Sequence, residues 1–298
     1  MSAVAHDEAL QPGSPGWLRL MTASKVAAIL GASPWDSPRS MWHKMRNELP
    51  EEPQTAVQSR GHYLEPAVLQ WYADEHGIDT ADQNQWRVHP LYVKDGWAAA
   101  TPDAVAFPAA APRLVEAKSA RELEEWGAPG TDEIPTYYLF QAYWQMHVSG
   151  IHVTDVPIIG AFLDFALYRV TYDPEVGTEL EQRCRAFMDS VAADRPPALD
   201  GTTATYDALR KLYRAIDDSA VEIPTATARE YLEALAARKD AETRERQAKS
   251  TVLDLMGETR FATCGGIKVA RRQPNRTGFQ LNQVAKSTAD LPLEGDPS

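Results

Sequence analysis

The strongest constraint on the fold lies between residues 86 and 118, where four short stretches of strand character follow one another closely. Residues 86–89, 97–100, 104–107 and 113–118 are apolar or alternating, with turn residues between them. Helical patterns flank this run. Before it, residues 23–30, a segment from Ser37-Pro38 to about Leu49, and residues 59–76 repeat apolar side chains at helical spacing. After it come a helix over 134–149, strands over 153–161 and 165–172, and a helix that Asp173-Pro174-Glu175 starts and that runs to about Ala193. Short strands must pool in a sheet, and the helices must cover it. The order predicts a central mixed sheet flanked by helices, the α/β or α+β class, of which α/β is the reading adopted.

Composition shifts near residue 200. All eight tryptophans lie between Trp17 and Trp144, and Arg195-Pro-Pro-Ala-Leu-Asp-Gly201 reads as a linker. Three parts are expected: a flexible leader over 1–16, a main domain over 17–196, and a helical extension over 202–298. That extension holds helices over 205–215 and 227–256, then a hairpin over 259–273 turning at Gly265-Gly266. The leader carries Asp7 and Glu8 and no apolar core, so it does not read as a signal peptide. No apolar run has the length of a membrane helix. Two cysteines, Cys184 and Cys264, make neither a disulfide framework nor a four-cysteine metal site, and fit a reducing cytoplasm. The seven histidines show no HxH or HExxH spacing.

The informative residues are Pro102-Asp103 and, after twelve residues, Glu116-Ala117-Lys118. Alternate residues of a strand share a face, so Glu116 and Lys118 project together while Val115 and Ala117 point into the core. Asp103 ends the preceding hairpin and reaches the same spot. Two carboxylates beside a lysine suit a hard divalent cation and a phosphate. An acid-x-Lys triplet is expected about once by chance at this composition, so the signal is its setting on a strand after a Pro-Asp turn. An upstream acid, Glu65, follows Gly61 near the start of the 59–76 helix.

Together these residues resemble the YqaJ-like viral recombinases and phage λ exonuclease, a branch of the PD-(D/E)xK nucleases. The likeness runs from about Trp17 to Tyr172 through Met21-Thr22-Ala23-Ser24, Gly61-x-x-x-Glu65, Thr101-Pro102-Asp103, Glu116-Ala117-Lys118 and the stretch from Tyr138 to Met146. It implies a restriction-endonuclease-like core in which Asp103, Glu116, the Ala117 backbone carbonyl and Glu65 hold Mg²⁺, with Mn²⁺ as a substitute. Lys118 would orient or deprotonate the attacking water, and Gln141 would support the site from its helix. Arg19, Thr22 and Ser24 would receive a DNA 5′-phosphate, where a helix start favours an anion. The implied activity is degradation of linear duplex DNA from a 5′ end, leaving 3′ single-stranded tails for recombination. The implied partners are duplex ends, a single-strand annealing protein and further copies of the chain in a trimeric ring, in the cytoplasm of a bacterial or phage-infected cell. An endonuclease, a nuclease of opposite polarity, and a non-cutting DNA-end-binding protein remain open at this point.

Net charge does not decide the matter. The chain carries −12, divided as −13 over residues 1–200 and +1 over 201–298. Residues 259–289 hold six positives and no acid, and Arg271, Arg272 and Arg276 there are candidate contacts to the DNA backbone. Trp42, Trp71 and Trp144 fall on apolar helical faces and read as core. Trp35 and Trp126 fall in predicted loops, from which they could stack on bases. Leu232, Leu235 and Ala236 are too sparse for a coiled-coil seam, so the long helix is expected to pack on its own neighbours.

Overall fold

The computed structural model describes residues 14–50, 53–121, 123–276, 278–285 and 287–292. Most of the expected leader, and Lys286 of the basic stretch, lie outside these residues. The chain divides into two compact units, Met1–Ile216 and Asp217–Ser298.

The first unit begins with helix α1 (Pro15–Leu18), strand β1 (Met21–Thr22), and helices α2 (Ala23–Ile29), α3 (Pro38–Met45) and α4 (Ala56–Glu75). Strands β2 (Trp86–Val88), β3 (Tyr92–Lys94), β4 (Ala98–Ala100), β5 (Ala104–Ala106), β6 (Arg113–Val115) and β7 (Lys118–Ser119) follow. Helix α5 (Thr136–Ser149), strands β8 (Val153–Ile159) and β9 (Phe165–Thr171), and helices α6 (Pro174–Ala192) and α7 (Thr203–Leu212) complete it. Strand β3 was not foreseen, because Tyr92-Val93-Lys94 is too short to show a period.

The main sheet is mixed, as expected. Strands β2, β5 and β6 pair antiparallel, β6 and β7 both lie parallel to β8, and β9 returns antiparallel on β8. A small second sheet has the order β1-β4-β3. The 113–118 segment, expected as one strand, is broken at Glu116 and Ala117. Its two pieces keep one register, Val115 opposite Asp155 and Lys118 opposite Ile158. Ala117 therefore faces Pro157, which has no N–H to give to the ladder.

Each face of the sheet has its own apolar layer. One buries Leu69 and Tyr72 of α4 against Trp86, Ala104, Ala106 and Val115. The other packs Ala142, Trp144, Met146 and Val148 of α5 with Val105, Leu114, Val156 and Ile158. The alanines of β4 and β5 are all buried, and their small side chains let helices approach closely. Trp144 Nε1 donates to Met21 O at 3.3 Å and Ala99 O at 3.2 Å, tying α5 to the small sheet. A capping box between Thr55 and Gln58 starts α4. Gly150, at φ 75°, ends α5 in the left-handed conformation that glycine adopts without steric cost.

Helix α7, assigned from sequence to the extension, packs in the first unit. Ser37 and Thr205 share a buried hydroxyl–hydroxyl hydrogen bond of 2.7 Å, and Arg39 Nη1 donates to Pro197 O at 2.7 Å.

In the second unit, helix α8 (Thr225–Met256) precedes strands β10 (Phe261–Cys264), β11 (Ile267–Asn275) and β12 (Gly278–Gln283). The expected hairpin is thus two-thirds of a three-stranded antiparallel sheet. The third strand, Gly278-Phe-Gln-Leu-Asn-Gln283, is polar enough to read as loop. Leu232 and Leu235 are exposed rather than packed on neighbours, and only Met256 of α8 is buried. No described helix is long and apolar enough to cross a membrane.

Asp155 holds the centre of the main sheet. Its fully buried carboxylate accepts from Tyr72 OH at 2.8 Å, Arg169 Nε at 2.6 Å and Arg113 Nη1 at 3.3 Å. It joins α4, β6, β8 and β9. Asp155→Ala strands two arginines and a buried tyrosine hydroxyl, and breaking such a network costs about 3 kcal/mol. The expected outcome is a lower denaturant midpoint at unchanged m-value.

Candidate active site

Glu116 is the innermost charged group of the site, with 4% of its surface exposed. Its Oε1 accepts from Lys118 Nζ at 2.6 Å and Gln141 Nε2 at 2.5 Å, and its Oε2 accepts from Gln145 Nε2 at 2.7 Å. The strand period puts Glu116 and Lys118 on one face, and the helical i, i+4 spacing puts Gln141 and Gln145 opposite them. Lys118 Nζ also lies 3.4 Å from Gln141 Oε1 and 4.8 Å from the centre of the Tyr138 ring.

Asp103 stands just before β5, where the pairing of Ala104 with Val115 brings it beside Glu116. Its Oδ2 accepts the Ala117 N–H at 2.8 Å, in place of a backbone partner from β5. Burial holds its carboxyl well above the usual carboxylate range, and the charges of Glu116 and Glu65 add to this against the pull of Lys118. Burial alone would lower the Lys118 pKa. Glu116 and Asp103 outweigh it, and the ammonium is held above its ordinary value.

Glu65 comes from α4, directly before Pro66, and lines the same cleft as Asp103, Glu116, Ala117 and Lys118. The cleft encloses about 890 Å³. Trp35, 64% exposed, lines it too and meets Tyr137 edge-on with ring centres 5.0 Å apart. Trp126 differs from expectation. It is buried against Tyr138 and Tyr168, so it has no face left for a base.

The structure therefore brings together Glu65, Asp103, Glu116, Lys118 and Gln141. Arg19, Thr22 and Ser24 are not among the residues lining this cleft. Ser24 is exposed at the start of α2, Thr22 is buried with its hydroxyl 3.3 Å from that of Ser24, and Arg19 is exposed after α1. In the second unit Arg271 and Arg276 are exposed. Arg272 is instead engaged, donating to Gly257 O and lying over the Phe279 ring.

Of two further residues, one was half legible in the sequence and one was not. Gln145 was legible as the i+4 partner of Gln141, but a glutamine on an apolar helix face gives no sign of which acid it meets. His89 gave no motif at all. Its N–H donates to Asp103 O at 3.0 Å, one step beyond the β2–β5 pairing, and its Nε2 lies 3.3 Å from Glu65 Oε1.

The donor set fits a divalent cation. Glu65, Asp103 and Glu116 offer oxygen ligands, which hard dications prefer, beside the ammonium of Lys118. A carboxylate has about four acceptor positions. Glu116 uses three, leaving one for a metal ion.

Truncating Gln145 leaves Glu116 Oε2 without its donor. Gln145→Ala is expected to lower unfolding free energy by about 1–3 kcal/mol, read from denaturant titration.

Comparison with known proteins finds several similarities. A curated relative, the uncharacterized protein YqaJ of Bacillus subtilis, is 24% identical over 250 residues, covering 82% of this chain and 76% of that protein. The alkaline exonuclease LHK-Exo from Laribacter hongkongensis superposes with a TM-score of 0.46 at 22% identity, over 60% of this chain and 90% of that one. A phage-related exonuclease from Haemophilus somnus gives 0.45 at 10% identity, over 59% and 96%. Residues 16–152, which carry Glu65, Asp103, Glu116, Lys118 and Gln141, match the YqaJ-like viral recombinase domain.

Proposed function

We propose that this chain is a metal-dependent deoxyribonuclease that degrades linear duplex DNA from a 5′ end and leaves 3′ single-stranded tails. The observation that carries the reading is the convergence of Glu65, Asp103, Glu116 and Lys118 in one cleft, with Glu116 braced by Gln141 and Gln145. The match of residues 16–152 to a viral recombinase domain supports the same class.

Asp103, Glu116, Glu65 and the Ala117 carbonyl would hold Mg²⁺, or Mn²⁺ in its place. When bound, the cation supplies charge stabilisation at the scissile phosphate. Lys118, kept protonated by its carboxylate neighbours, donates hydrogen bonds to the phosphate or to the attacking water. Gln141 is a positioning residue that fixes both Glu116 and Lys118. The exposed ring of Trp35 suits stacking on a base at the cleft mouth. The 3′ tails would pass to a single-strand annealing partner.

The test incubates the full chain with Mg²⁺ and linear duplexes labelled at either end, alongside a closed circle. Loss of the 5′ label with growth of 3′ tails and an intact circle is expected. A cut circle would make the protein an endonuclease, and first loss of the 3′ label would reverse the polarity. Asp103→Ala or Glu116→Ala should reduce cleavage more than about 10²-fold while end binding in Ca²⁺ persists.

Ser24 and the start of α2 would receive the 5′-phosphate, with Arg19 and Thr22 as the further candidates. Phosphorylated 5′ ends should then be digested faster than hydroxyl ends, and Ser24→Ala should narrow the difference. Equal wild-type rates on the two substrates would remove this pocket.

Arg271 on β11 and Arg276 in the turn after it, with Lys268 and Arg272 also on β11, would track the DNA backbone. Replacing Arg271, Arg272 and Arg276 with alanine should flatten the slope of log affinity against log salt by about one unit for each phosphate no longer neutralised. An unchanged slope in that variant would assign the sheet to another task.

A further inference from the structure

The chemistry proposed above leaves His89 without a task. It lies at the end of β2, away from every sequence motif, yet its imidazole is aimed into the acidic cluster. One donor atom each from Glu65, His89 and Asp103 lie within 4.8 Å of one another. Ligands at roughly 2.1–2.5 Å from one dication are separated by no more than about twice that distance, so the three can share an ion with little movement. A surface ion pair alone gives this placement little reason. His89 is about half exposed, where a pair with Glu65 adds little to stability. It also sits at φ 45°, a left-handed backbone that a side chain rarely adopts, held there by its N–H bond to Asp103 O.

We propose that His89 is the third protein ligand, with Glu65 and Asp103, of a mixed nitrogen–oxygen cation position, and that it gives this position a preference for Mn²⁺ over Mg²⁺. Asp103 is common to this group and to the Glu116 side of the cleft, where its Oδ2 meets the Ala117 N–H. The Glu116 side offers only oxygen. The two positions therefore differ in ligand chemistry: a neutral imidazole suits transition-metal ions, whereas Mg²⁺ favours oxygen donors and retains its waters. The assignment rests on the reading that Glu65 and Asp103 hold a metal ion.

The test uses the full chain loaded with Mn²⁺ and electron spin-echo spectroscopy, which detects a directly bound imidazole nitrogen. His89→Asn and His89→Gly are the variants, because both residues tolerate the left-handed backbone. The wild-type chain should show nitrogen coupling that both variants lose. Titration of Mn²⁺ should show roughly tenfold weaker binding in His89→Gly, with Mg²⁺ binding little changed. Mn²⁺ uptake without nitrogen coupling, or coupling that survives in the variants, overturns the His89 assignment and leaves the metal-dependent nuclease reading standing. Absence of Mn²⁺ uptake by the wild-type chain overturns both.

Discussion

A carboxylate that is 4% exposed persists only where its surroundings replace water, because stripping hydration from such a charge costs several kcal/mol. Glu116 is that carboxylate, and the elements around it can be understood as its replacement solvent. Lys118 supplies the opposite charge from the same strand face. Gln141 and Gln145 supply two amide donors from one face of α5. That helix must lie close and at a fixed rotation for both donors to reach. The packing of Trp144 and Met146, buried on the same helix, sets this rotation. The apolar core and the polar site are therefore one arrangement. Loosening α5 would expose hydrocarbon and leave Glu116 unpartnered in the same motion.

Strand β8 sets the other half of the geometry. Its Asp155 gathers Tyr72, Arg113 and Arg169 into a buried network, and its backbone carbonyl accepts the Glu116 N–H at 3.0 Å. Two residues later Pro157 removes a ladder donor opposite Ala117, and the strand carrying Glu116 is interrupted there. On the opposite edge β5 begins only at Ala104, so the Ala117 N–H turns to the Asp103 carboxylate instead of a backbone carbonyl. A proline in one strand and a proline–aspartate turn in another thus open the sheet at one place. The Asp103 carboxylate takes up the Ala117 N–H at that opening. A regular sheet would have satisfied those groups within itself and left no site.

How much of this was legible in the sequence follows from which forces act locally. The helix starts at Ser37-Pro38 and Asp173-Pro174 were readable because capping is written within four residues. The shared face of Glu116 and Lys118 was readable because the strand period is two. Strands β3 and β12 were not, one being three residues long and the other polar. Helix α7 was misassigned because its attachment to α3 is a buried hydroxyl pair, Ser37 with Thr205, between residues far apart in the chain. His89 was invisible for the same reason. Its place beside Asp103 is fixed by the register of β2 on β5, and the register comes from packing on both faces of the sheet. Gln145 shows the intermediate case, a position set by helical spacing whose partner only tertiary packing reveals.

The charge distribution fits the proposed function through a division of labour. A nucleic-acid enzyme with net charge −12 would repel its substrate if the whole surface acted alike. The acids that matter most are not at the surface. Asp103 and Glu116 are pulled into the cleft, Asp155 is neutralised by two arginines, and Glu181 is engaged by Lys94 and Arg185, which hold its carboxyl down near a pKa of about 2. Divalent cations bound in the cleft would offset the buried negative charge at the one place where a phosphate must enter. Long-range attraction would then fall to exposed arginines such as Arg271 and Arg276, on a sheet whose strands β11 and β12 carry no acid. Screening confines each effect to about 10 Å at ordinary salt, so an acidic total and a basic contact face can coexist on one chain. On this reading the cleft carboxylates would draw cations locally and the exposed arginines would contact the DNA backbone, whatever the sign of the total charge.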